Sequence, residues 1–66
     1  MVIRVNGESR DVAPGVTIVD LLANLDLRPD RVAVELNRSI VKQQFWAETV
    51  LPPGAELEIV QFVGGG

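Results

Sequence analysis

Residues 17–25 carry the one long helical stripe of the chain. Ile18, Leu21, Leu22 and Leu25 recur at i, i+3, i+4 and i+7, the spacing that lines one face of an α-helix. Thr17 stands at the N-cap position, with Asp20 three residues on as an imperfect capping box and Val16 and Leu21 at the two positions of a hydrophobic staple. The stripe ends before Arg28-Pro29, because the residue ahead of a proline is driven out of the helical region. The remaining apolar runs are short and strand-like. Residues 2–5 and 9–12 flank Asn6-Gly7, the strongest two-residue hairpin signal. Val32, Val34 and Leu36 alternate with Ala33 and Glu35, and Asn37-Arg38 turns the chain into Ser39-Ile40-Val41. Gln43 to Glu48 fit one helical turn whose Phe45 and Trp46 cover the end of a sheet, and Pro52-Pro53-Gly54 is a turn. A last strand follows, with Leu57 and Ile59 on one side and Glu56, Glu58, Val60 and Phe62 on the other. A single helix covers one face of a five-stranded sheet, so the expected fold is a two-layer α+β domain with one main helix on one face.

The chain must reach that fold on hydrophobic packing alone. Sixty-six residues without a cysteine lie near the lower limit for one core. Val, Leu and Ile supply a third of the residues, which excludes disorder on composition. No stretch approaches a membrane span, and the start lacks the apolar segment of a signal peptide, so a cytoplasmic protein with no membrane partner is expected. Six basic against nine acidic residues, with no basic cluster, argue against nucleic acid as a partner and for a basic docking surface.

Composition also removes most catalysis. The chain has no Cys, His or Tyr. The usual nucleophile, general-base and zinc constellations therefore cannot be assembled, and the scattered carboxylates lack the spacing of an acid–base pair or a calcium loop. No catalytic residue and no metal ligand is expected. The reactive feature is the ending, Gly64-Gly65-Gly66, which three random positions would give about once in 3,000 chains at average glycine usage. A frayed terminus or a cloning remnant is the alternative reading. Three extended glycines reach roughly 10 Å beyond the last side chain, and without Cβ atoms they enter a channel too narrow for other residues. The organisation expected is a domain over residues 1–63 and a flexible glycine tail over residues 64–66. An α-carboxylate is ionised at neutral pH and a poor electrophile, so Gly66 becomes useful only when another protein activates it.

This order of elements with a diglycine end resembles the ubiquitin-like β-grasp fold, and at this length the ThiS family of sulfur carriers. The resemblance covers the whole chain. It rests on Asn6-Gly7 after the first strand, Thr17-Ile18-Val19-Asp20-Leu21-Leu22 opening the helix, and Val34-Glu35-Leu36-Asn37 followed by Ile40-Val41. Trp46, Pro53-Gly54 and the closing run from Glu58 through Phe62 to Gly66 complete it. Many members carry Pro-Arg where this chain has Lys42-Gln43.

The resemblance implies a protein co-substrate and not an enzyme. An E1-like adenylating enzyme (ThiF type) would join the Gly66 carboxylate to AMP. Sulfur from a cysteine desulfurase or another donor would then convert that acyl-AMP to a thiocarboxylate, and thiazole synthase (ThiG type) would take the sulfur into the thiazole ring of thiamine. No cofactor is bound in this scheme; the carried groups are covalent on Gly66. Gly64 and Gly65 would thread the partner active sites, and Val60 with Phe62 would form the docking patch. Absence of cysteine suits this role, since a carrier without thiolates cannot scramble a persulfide. Three other readings stay open: the small subunit of molybdopterin synthase, a ubiquitin-like protein modifier, and a non-covalent binding domain.

Overall fold

The computed structural model describes residues 1–63; the expected tail, Gly64, Gly65 and Gly66, lies outside the described residues. Strands β1 (Val2–Val5) and β2 (Glu8–Asp11) precede the helix α1 (Ile18–Asn24). A short 3-10 turn (Pro29–Arg31) leads into β3 (Val32–Leu36) and β4 (Ser39–Val41), and a 3-10 helix (Gln43–Glu48) precedes β5 (Glu56–Gln61). The strands form one sheet in the order β2-β1-β5-β3-β4. The last strand is thus the central one. It runs parallel to β1 and antiparallel to β3, while both hairpins are antiparallel, which makes the sheet mixed.

Each hairpin closes through two residues of positive φ. Asn6 (52°) and Gly7 (85°) join Val5 to Glu8, and Asn37 (50°) and Arg38 (72°) join Leu36 to Ser39. Two consecutive positive φ values define the turn whose twist matches paired strands, and Asn and Gly reach that region at least cost. The second strand begins one residue earlier than residues 9–12, because the two-residue turn brings Glu8 into register opposite Val5.

The helix start is better specified than Thr17 and Asp20 suggested. The Asp20 N–H donates to Thr17 Oγ1 (3.2 Å), and the Thr17 N–H donates to Asp20 Oδ2 (2.9 Å), so the capping box is complete with Asp in place of the longer Glu. The C-terminal end closes without glycine. Asp26 takes φ 59°, its N–H donates to the Ala23 carbonyl (3.1 Å), and the Leu27 N–H donates to the Leu22 carbonyl (2.9 Å). That pair of bonds is a Schellman cap, which places Leu27 beside the apolar end of the helix.

One core lies between α1 and the sheet. Ile3, Val5, Val32, Val34, Leu57 and Ile59 face Ile18, Leu21 and Leu22, and Trp46, Leu51 and Ala55 close the end. Among the described residues no buried side-chain polar atom lacks a partner. The Trp46 indole donates Nε1–H to the Val41 carbonyl (2.7 Å), so the largest side chain is buried without an orphaned donor. Phe45 corrects the expectation that both aromatics cover the sheet end, since it is 48% exposed. The cause is the 3-10 geometry of this segment: at three residues per turn neighbours point about 120° apart, and Trp46 takes the inward position. No helix among the described residues is long and apolar enough to cross a membrane.

Candidate functional site

The candidate site is the C-terminal end of β5, and the sheet order explains why that end is well held. β5 sits between β1 and β3, so its peptide groups are used alternately on two flanks. On the β3 flank the bonding continues one residue past the strand, with the Phe62 N–H donating to the Arg31 carbonyl (2.7 Å). On the β1 flank the carbonyls of Ala55 and Leu57 accept from the N–H groups of Arg4 (2.8 Å) and Asn6 (2.9 Å). The chain therefore leaves the sheet at Phe62 as an extension of its central strand, with Val63 between it and the first glycine.

Side-chain parity along β5 is as its alternation requires. Leu57 and Ile59 are buried against the helix, while Glu56, Glu58, Val60 and Phe62 are exposed on the opposite face. Val60 is 58% and Phe62 54% exposed. The structure brings these two residues together with partners that the one-dimensional reading did not include. Ala33 is directly across from Val60, and Ile40, 77% exposed, shares the uncovered face through its pairing with Glu35 and that of Glu35 with Glu58. No local pattern marks Ile40 as part of this surface, because its membership depends on the register of three strands.

Beside the apolar residues the same face is acidic. Glu35, Glu56 and Glu58 line a shallow groove of about 140 Å³ with Arg38. The two ion pairs found among the described residues lie elsewhere, between the Met1 amino group and Asp11 (3.0 Å) and between Arg28 and Asp30 (3.2 Å). Apolar contact next to three carboxylates, with Arg38 among them and Arg4 in register with Glu56, suits a partner surface that is apolar at its centre and charged at its rim. Among the described residues no group of three or more His, Cys, Asp or Glu is arranged to hold a metal ion.

Two asparagines were missed as site residues. Each hairpin turn lends its Asn side chain to the backbone of β5. Asn37 Oδ1 accepts from the Glu56 N–H (2.9 Å) at the start of the strand, and the Asn6 carboxamide bonds both main-chain groups of Ile59 near its end. The only local signal at either position was its suitability for positive φ. The expected tail residues Gly64, Gly65 and Gly66 lie outside the described residues.

Comparison with known proteins agrees with this architecture. The ThiS family model matches residues 3–66. The chain is 32% identical to the sulfur carrier protein ThiS of Escherichia coli over 66 residues, covering 100% of both. It is 38% identical to a thiazole synthase of Magnetococcus marinus, where it spans only 20% of the relative's length. The crystal structure of the thiamine biosynthesis protein ThiS from Geobacter metallireducens superposes with a TM-score of 0.86 at 30% identity, covering 100% of both chains. With a β-grasp sheet, one covering helix and a family match across nearly its whole length, this chain belongs to the ThiS family.

Proposed function

We propose that this chain is a sulfur carrier of thiamine biosynthesis, acting through the carboxylate of Gly66. The observation that carries the reading is the exposed pair Val60 and Phe62 at the root of a glycine tail in a member of the ThiS family. A carboxylate oxygen of Gly66 attacks the α-phosphorus of ATP on the adenylating enzyme, and pyrophosphate leaves. The acyl-AMP is a mixed anhydride, so its carbonyl accepts a persulfide sulfur with AMP as leaving group. Cleavage of the resulting S–S bond by a thiol leaves the thiocarboxylate on Gly66, ready for thiazole synthase. Each protein in this relay works in the cytoplasm, where ATP and cysteine are supplied.

The chain's own residues do the positioning. Val60 and Phe62 bind the partner, Glu35, Glu56 and Glu58 orient it electrostatically, and Gly64 and Gly65 pass through a channel without side-chain hindrance. ThiS family membership favours this role over the molybdopterin synthase subunit, the protein modifier and the non-covalent domain. Thiazole synthase is the partner best supported, because a chain of this kind forms a fifth of the Magnetococcus thiazole synthase. Deleting Gly65 and Gly66 tests the reading. The shortened protein is expected to keep its unfolding temperature and to lose all sulfur transfer in a reconstituted thiazole-forming assay; retained transfer refutes the reading.

A further inference from the structure

The two flanks of the β5 end are held in different ways. Toward β3 the hold is a regular main-chain ladder that reaches Phe62. Toward β1 the strand partner runs out, because the backbone turns away through the positive φ of Asn6 and Gly7 just after the Asn6 N–H has bonded the Leu57 carbonyl. The Asn6 side chain takes over at that point. Its Oδ1 accepts from the Ile59 N–H (2.8 Å) and its Nδ2 donates to the Ile59 carbonyl (3.2 Å). A carboxamide carries the same donor and acceptor as a peptide unit, so Asn6 serves as one further residue of β1.

We infer that Asn6 is a positioning residue for the chemistry proposed at Gly66, its carboxamide fixing the flank of β5 from which the glycine tail departs. This rests on the sulfur-carrier reading. The reason a root contact matters is leverage. Four steps of chain lead from Phe62, the last residue bonded to the sheet, to Gly66, a reach of up to roughly 14 Å at about 3.4 Å per residue, and a 10° swing at the root displaces the end by roughly 2 Å. Reacting groups must meet within a few tenths of an ångström of the productive geometry. Glycines offer a partner no side chain to grip, so alignment set by the carrier's own sheet lowers the ordering cost of each docking event.

Two substitutions isolate the side chain from the turn, since Gly and Asp both suit the first position of a type I′ turn. Asn6→Gly is expected to lower the amide protection factor of Ile59 at least about tenfold. In carrier-dependent ATP–pyrophosphate exchange with the adenylating enzyme it should lower kcat roughly tenfold, with KM moving less than about twofold because Val60 and Phe62 are untouched. Asn6→Asp keeps the acceptor and, once ionised, removes only the donor. A neutral carboxyl reproduces the donor and acceptor of the carboxamide, whereas the ionised form loses the donor and sets a charge against the Ile59 carbonyl. Because Oδ1 still accepts from the Ile59 N–H, protection at Ile59 should stay within about threefold of the wild type at neutral pH, and kcat should lie between those of the wild type and Asn6→Gly. An unchanged kcat in Asn6→Gly alongside lost protection makes the contact merely structural and overturns the inference. A raised KM with kcat retained overturns it too, by making Asn6 a docking residue. Failure of the wild-type chain to be adenylated at all strikes the sulfur-carrier reading itself, and with it the positioning role. It is distinguished from the other outcomes because the protection measurement needs no enzyme.

Discussion

In Phe62→Ala the ring removed is 54% exposed in the free protein, so folding has little of it to lose. Truncating a fully buried Phe costs about 3–5 kcal/mol, most of it from lost apolar burial and the cavity left behind. Here no enclosed cavity forms, and with half the ring already in water the expected loss of stability is about 1 kcal/mol. Truncating a central interface anchor, by contrast, typically costs at least about 2 kcal/mol in binding, or roughly 30-fold in Kd. Val60→Ala, 58% exposed, should follow the same rule with smaller numbers. Leu57→Ala is the control on the opposite face. At 2% exposure it should lose about 2–5 kcal/mol, a large share of what a 66-residue domain possesses. The assay pairs thermal unfolding with calorimetric titration against purified thiazole synthase. An unchanged affinity in Phe62→Ala, or a stability loss as large as that of Leu57→Ala, would refute the argument that this face is for docking.

Asp26→Gly should stabilise the fold by about 1 kcal/mol, because Asp26 holds φ 59° at a helix cap where glycine carries no Cβ penalty; thermal unfolding should rise by about 4–8 °C. Thr17→Ala removes the N-cap acceptor for the Asp20 N–H and should cost about 1 kcal/mol in a denaturant titration, with sulfur transfer from the folded fraction unchanged. One alanine appended after Gly66 moves the carboxylate by about 3.4 Å, which should abolish ATP–pyrophosphate exchange while stability shifts by less than about 0.5 kcal/mol.

The parts of the fold that depend on near neighbours were legible before any coordinates. Asn6-Gly7 and Asn37-Arg38 announced their turns because positive φ is a local demand, and Ile18, Leu21 and Leu22 announced the helix because its face is periodic. The alternation from Glu56 to Phe62 likewise placed Val60 and Phe62 on the open face. What escaped depends on contacts far apart in the chain. Asn6 and Ile59 are 53 positions apart, and nothing near Asn6 reveals that its carboxamide will complete the ladder of β5. Ile40 joins Val60 on the uncovered face only through the β3–β4 and β3–β5 registers. The Schellman cap was hidden because Asp26 stands where glycine usually marks it. Phe45 misled because adjacent aromatics read as one apolar pair until the 3-10 geometry turns them apart.

The central claim is that sulfur is carried on the terminal carboxylate, and mass spectrometry of the intact chain tests it most directly. After incubation with the adenylating enzyme, ATP, cysteine and a cysteine desulfurase, the chain should gain the mass difference of sulfur replacing oxygen, localised by fragmentation to Gly66. No side chain competes for that role, since cysteine is absent and Met1 offers only an unreactive thioether. Iodoacetamide should label the product at Gly66 alone. A mass gain on an internal peptide, or an activated terminus found joined to lysine amines in place of sulfur, contradicts the account.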